Sequence, residues 1–229
     1  MNYNIRIENY GVKGAGPLAG EVYGTEPLFI FDPDDDSNCP VPGYHDNALI
    51  FWAIYPEFLK RLFIKAFTDG IRDPNNGRVR ENEWRLAMSQ LIDSIFYCPN
   101  CGNENFYDKD ALQKAGGRPS ACWSCKMDVI LPYRIRIDKK IVMLNHDTRL
   151  YPHQVDITKA SEYDLTTPVA EVNRHPQNPY IWGLKNLSPD AWMITTVDGK
   201  SKDVPPGKNV TIAKGTKIRF GNLEGEVTY

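Results

Sequence analysis

Four cysteines fall into two like pairs, Cys98-Pro99-Asn100-Cys101 and Cys122-Trp123-Ser124-Cys125, with 20 residues between them. A two-residue gap lets a tight turn aim both thiolates of a pair at one point. Two such turns supply four sulfurs, the tetrahedral shell that zinc takes in structural sites. Because every ligand comes from the chain, no coordination position is left for water or substrate. The pattern therefore implies one structural zinc ion. Two disulfides are the competing reading, and repeated C-x2-C pairs in a chain without a secretion signal favour the metal.

The rest of the chain has to fold around that landmark. At 229 residues it has room for one to three domains. A formal net charge of −2 gives no global field toward nucleic acid or anionic lipid. No apolar run reaches the roughly 18 residues of a membrane span, and Met1-Asn2-Tyr3-Asn4 opens no signal peptide. Four cysteines paired as knuckles, with Cys39 alone in a polar loop, suit a reducing, cytoplasmic setting. The expected architecture is α+β and multidomain: a helical region over 1–95 with irregular N-terminal loops, a zinc ribbon over 96–135, and an antiparallel β-sandwich over 136–229.

Two helices are predicted in the first region. Pro56 opens one that runs through Phe67 and stops near Gly70, with Phe58, Leu59, Leu62, Phe63, Ala66 and Phe67 on one apolar face. Gly70 is expected to be the left-handed residue that ends it. The second runs from about Glu81 to Ile95, with Trp84, Ala87, Met88, Leu91, Ile92 and Ile95 on its apolar face. Asp73-Pro74-Asn75-Asn76-Gly77 reads as the turn between them.

Several motifs here fall short of chemistry. Gly14-x-Gly16-x-x-x-Gly20 is one residue too long for a kinase glycine loop, and the next lysine after Lys13 is Lys60, within a helix. Asp32-Pro33-Asp34-Asp35-Asp36 starts like a calcium loop but has Ser37 and Gly43 where glycine and glutamate are needed, so it reads as a solvated acidic turn. His45, His146, His153 and His175 are scattered, and each is expected at the surface or in a loop.

A resemblance adds to this reading. Tyr55-Pro56-Glu57-Phe58-Leu59 through Gly70, then Arg78-Val79-Arg80-x-x-Glu83-Trp84, resembles the last helices of the eukaryotic-type protein kinase C-lobe, over about Gly20 to Ile95. Arg78 stands at the family arginine, with Val79 in place of its usual proline. No Ala-Pro-Glu, His-Arg-Asp or Asp-Phe-Gly motif is present, so the catalytic base and the magnesium ligands are missing. In a whole kinase the face with Phe58, Leu62 and Phe63 packs on helices that this sequence lacks. Either the N-terminal loops cover it or it remains an apolar patch. The layout of kinase tail, four-cysteine ribbon and β domain is similar to bacterial serine/threonine kinases of the group encoded beside a von Willebrand-type protein and a metal-dependent phosphatase. That group is associated with tellurite resistance and stress.

In the ribbon, Met127 to Tyr133 is expected as a strand, and Tyr97, Phe106 and Trp123 as the small core. Residues 96–137 carry six Lys and Arg against four acids, a thin surplus for a phosphate-binding surface. Beyond it, strands are expected at Tyr133–Ile137, Ile141–Leu144, Val169–Val172, Tyr180–Leu184, Trp192–Val197, Asn209–Ile212 and Lys217–Phe220.

The run from Ala170-Glu171-Val172 through Trp182-Gly183-Leu184 to Ile218-x-Phe220-Gly221 resembles a forkhead-associated domain, a reader of phosphothreonine. By that resemblance, His153 lies where the family's phosphate-binding arginine belongs, Pro189-Asp190-Ala191 where its asparagine belongs, with Asp190 set to repel a phosphate, and Thr166 with Val169 at its serine. His153, Thr166 and Asp190 are the candidate partner-binding residues. Without the arginine and asparagine the dianion lacks its charge-assisted donors.

The expectation is thus a non-catalytic, zinc-bearing regulatory or scaffolding region of a bacterial kinase. Its partners would be proteins: the kinase catalytic part, the von Willebrand-type protein or the phosphatase. Membrane binding is not expected, and the charge count argues against nucleic acid. The alternatives are a portion of an active kinase whose catalytic segment lies outside this sequence, and a zinc-ribbon nucleic-acid-binding protein.

Overall fold

The computed structural model describes residues 27–229. The Gly14–Gly20 loop lies outside them. The chain forms two compact units, Met1–Met88 and Ser89–Tyr229, so the expected ribbon and β regions belong to one unit.

In the first unit, helix α1 covers Asp46–Ile54, α2 Glu57–Phe67 and α3 Asp69–Arg72. A fourth helix, α4, begins at Glu81 and ends at Ser94 in the second unit. Sequence periodicity misses α1 because Ala48 to Ile54 is unbroken apolar sequence with no polar face to set a period. α2 follows the 3.6-residue pattern. Pro56 precedes it in extended conformation, Glu57 complements the dipole in its first turn, and Leu59 is its buried residue.

The face of α2 is covered from within the unit. Phe67 stacks on Phe29 at 5.3 Å, Phe63 meets Trp84 edge-on at 5.1 Å, and Trp52 of α1 stacks on Phe31 at 4.2 Å. Phe58, Leu62 and Phe63 are accordingly half-buried.

Gly70 does not end α2 in the left-handed region. It is buried inside α3, which continues the chain after Thr68 folds back on the Ile64 carbonyl. The glycine that the turn requires is Gly77, where a Cβ would lie 2.3 Å from the Asp69 carbonyl oxygen. The second apolar face is also corrected. Ala87 is buried, but Met88 and Ile92 are exposed, and Ile95 leaves the helix to begin a strand.

In the second unit, β1 (Ile95–Tyr97) and β2 (Glu104–Phe106) form a short antiparallel hairpin. Helix α5 (Lys109–Lys114) follows, its N-terminus capped by the Asp108 carboxylate on the amides of Asp110 and Ala111. The β region comprises β3 (Arg134–Ile137), β4 (Lys140–Met143), β5 (Arg149–Leu150), a one-turn helix α6 (Pro152–Val155), β6 (Ala170–His175), β7 (Asn178–Asn186), β8 (Trp192–Thr195), β9 (Ser201–Val204), β10 (Asn209–Thr211), β11 (Lys217–Phe220) and β12 (Leu223–Thr228).

They pair as a six-stranded sheet ordered β4-β3-β12-β11-β8-β9 and a four-stranded sheet ordered β10-β7-β6-β5, every pairing antiparallel. Alternation decides which side chains go in. Ile135 and Ile137 of β3, and Ile218 and Phe220 of β11, are buried in alternation with the charged residues of their strands. They share one apolar cluster with Leu150, Ala170, Val172, Leu184 and Val210 of the other sheet. The region is therefore α+β with antiparallel sheets.

β12, a central strand, escapes sequence reading because Gly225 looks like punctuation. Its Cβ would lie 2.8 Å from Ile135 Cδ1, so the glycine makes room for β3 across the ladder. Among the described residues, no helix is long and apolar enough to cross a membrane.

Candidate metal centre

The two cysteine pairs adopt the same backbone loop. Cys98 N–H donates to the Asn103 carbonyl and Gly102 N–H to the Cys98 carbonyl, both at 2.9 Å. Cys122 N–H to Met127 and Lys126 N–H to Cys122 repeat those bonds at 2.9 Å. The closing residue of each loop is left-handed: Gly102 at φ 73° and Lys126 at φ 62°. Lys126 holds that conformation without glycine's freedom, and its ammonium donates to the Trp123 carbonyl.

The loops bring all four sulfurs within 4.8 Å of one another. Cys98 and Cys125 sulfurs are 3.6 Å apart, and those of Cys101 and Cys122 3.7 Å. A tetrahedron with metal–sulfur bonds of about 2.3 Å has edges of about 3.8 Å. The four thiolates therefore fit a tetrahedral metal ion. Among the described residues this is the group of three or more His, Cys, Asp or Glu placed to hold one. Cys39 is exposed and outside it.

Two asparagines that spacing does not reveal support the sulfurs. Asn103 Nδ2 reaches Cys101 Sγ at 3.4 Å and Ser124 Oγ at 3.0 Å, joining the two loops. Asn105 is buried. Its Nδ2 donates to the Asn103 carbonyl at 3.0 Å and approaches Cys122 Sγ at 3.7 Å, while its Oδ1 accepts from Trp123 N–H at 3.4 Å. Such donors fix ligand orientation and spread thiolate charge. Their only sequence signal is a pair of asparagines two and four residues after Cys101.

The local field favours thiolates unevenly. Burial opposes ionisation of Cys122, but the amides of Cys125 and Ser124 and the Asn105 side chain outweigh it and bring this thiol down to about 6. Amide and side-chain donation from Asn103 also lowers Cys101. At Cys98 the Cys101 amide favours the thiolate, yet burial and proton sharing with Cys125 and Cys101 push it up to about 11. Four sulfurs this close cannot all ionise alone; a cation among them removes that conflict.

The module's core differs from expectation. Phe96, Cys98, Cys122, Val129 and Met143 form it, with Tyr107, Cys125 and Leu131 against them. Tyr97, Phe106 and Trp123 are half-buried at its edge, with Trp123 Nε1 donating to the Glu104 carbonyl at 2.8 Å. Met127 to Tyr133 is irregular instead of a strand. Its backbone is used by the knuckle, and the hairpin flanks the first pair. Met143 belongs to β4, so the metal module is keyed into the β region.

No family model, curated protein or solved structure matches the chain.

The remaining sequence candidates are dispersed. Thr166 is exposed, its hydroxyl donating to Asp164 at 2.6 Å, and Asp190 is exposed with its carbonyl taken by Asn186. His153 is a correction. It is 1% exposed on α6, an interior group whose Nε2 lies 3.1 Å from Ser89 Oγ. His45 is buried too, whereas His146 and His175 are exposed as expected. Burial and the nearby Lys140 charge hold the His153 imidazole down to about 4. In the acidic turn, Asp32 pairs with Arg72 at 3.1 Å while Asp34 and Asp36 are exposed.

Proposed function

We propose that the chain is a zinc-bearing, non-catalytic regulatory or scaffolding region of a bacterial serine/threonine kinase that binds protein partners. The observation that carries it is the closed four-sulfur shell. Four protein thiolates leave the ion no position for substrate, so the metal organises surface and does no chemistry. The kinase assignment rests on the resemblance of 20–95 to a C-lobe tail. Arg78, whose family counterpart pairs with a buried glutamate, is exposed here, which suits a chain lacking that glutamate.

We read the β region as a forkhead-associated-like sandwich that has lost phosphate recognition. Two antiparallel sheets on one core support that reading. With His153 interior and Asp190 exposed at the loops, nothing on those two positions donates to a phosphate, and the partner is an unphosphorylated protein surface. Calorimetric titration of the metal-loaded chain with Mg-ATP tests the non-catalytic claim. The expected result is no saturable heat up to millimolar nucleotide. Binding in the micromolar range would overturn it.

A further inference from the structure

The first unit holds a cleft that the metal centre does not touch. It measures about 740 Å³, and its walls come from residues 29–31, α1 and α2. That volume lies within the roughly 300–1,000 Å³ of small-molecule sites.

One wall is aromatic and held in place. Trp52 of α1 stacks on Phe31 at 4.2 Å, and Phe29 and Phe63 lie edge-to-face with it at 5.8 and 6.4 Å. Two further lining rings, Tyr44 and Phe51, are open to solvent. Rings already ordered by one another can receive a further ring, stacked or edge-on, with little loss of side-chain freedom.

Two charged side chains line the same cleft. Asp46 opens α1, and its Oδ1 accepts from Gly43 N–H at 2.6 Å. Lys60 of α2 is half-buried. Among the described residues neither has an ion-pair partner, and they do not pair with each other. His45 also lines the cleft and is neutral: its Nδ1 accepts from Val41 N–H at 3.1 Å, so the hydrogen sits on Nε2.

This charge pattern selects among ligands. A neutral ring would take an ammonium and a carboxylate out of water with nothing to pair them. An aromatic amine would meet Lys60 as a like charge, and an aromatic acid would meet Asp46. A zwitterion with a ring gives each charge an opposite partner and the wall a ring to pack against.

We propose that the cleft binds a free aromatic α-amino acid. Its ring packs on the wall around Trp52, its ammonium faces Asp46 and its carboxylate faces Lys60.

Calorimetric titration of the full metal-loaded chain at neutral pH with L-phenylalanine, L-tyrosine and L-tryptophan tests this. At least one is expected to saturate with a Kd below about 1 mM. For the tightest of them, the decarboxylated amine and the deaminated acid each lack one charge, and the N-acetyl amide lacks both. All three analogues are expected to bind at least tenfold more weakly, the cost of a lost charge-assisted hydrogen bond. Lys60→Met should weaken the amino acid at least tenfold and leave the amine no weaker. Asp46→Asn, which keeps an acceptor for Gly43 N–H, should weaken the amino acid likewise and leave the deaminated acid no weaker. No saturation by any of the three up to about 10 mM, an analogue as tight as its amino acid, or an unchanged affinity in either variant would overturn the proposal. Should a variant fail to fold, the analogue series on the wild type decides alone.

Discussion

Cys122→Ser is expected to abolish metal binding and unfold the cysteine module. Cys122 is fully buried among Phe96, Val129 and Met143, and its sulfur accepts from Asn105. A serine hydroxyl is a poor ligand for a soft thiolate site and leaves a polar group in dry surroundings. Structural zinc supplies about 10–16 kcal/mol of apparent folding free energy in isolated finger peptides, so a broken shell should lose the module's fold outright. Hydrogen exchange should show protection vanishing over 95–131 and persisting in β6 and β7. Cys39→Ser, at an exposed position, should lie within about 0.5 kcal/mol of wild type. A Cys122→Ser protein that keeps a full equivalent of metal and native protection would refute the assignment.

The second large effect is expected at Asn186, which is fully buried. Its Nδ2 donates to the carbonyls of Asp190 at 2.8 Å and Val204 at 2.9 Å, and its Oδ1 accepts from the Ser188 amide at 2.9 Å and hydroxyl at 2.7 Å. That hydroxyl in turn accepts from Trp192 Nε1 at 3.1 Å. One side chain thus ties β7, the following loop, β8 and β9. Asn186→Asp keeps the shape but turns an oxygen toward two carbonyl oxygens and buries a charge. The expected loss is about 3–5 kcal/mol. It should be larger at pH 8 than at pH 5, because burial raises the new carboxyl and its neutral form is the tolerated one. Urea unfolding at both pH values measures it. A variant within about 1 kcal/mol of wild type at pH 8 would show that the network carries little.

What the sequence discloses depends on how local the cause is. Two C-x2-C pairs specify their turns within a few residues, so all four cysteines of the cluster are legible. The strands with Ile135, Ile137, Ile218 and Phe220 are legible because burial on one face writes itself as alternation. β12 is not, since Gly225 is set by Ile135 across the sheet and not by its own neighbours. Nor is the burial of His153. Its partners Ser89 and Lys140 come from α4 and β4, and nothing at position 153 marks an interior site. The left-handed Lys126 is likewise imposed by the knuckle around it, where sequence preference asks for glycine.

We propose that Cys98, Cys101, Cys122 and Cys125, whose sulfurs lie within 4.8 Å of one another, hold one zinc ion. Elemental analysis together with X-ray absorption at the metal edge, on protein purified without chelators, tests it most directly. The expected result is one equivalent of zinc with four sulfur neighbours at about 2.3 Å and no oxygen in the shell. Iron in place of zinc, an oxygen neighbour, or less than half an equivalent of metal with the cysteines oxidised in pairs would contradict it.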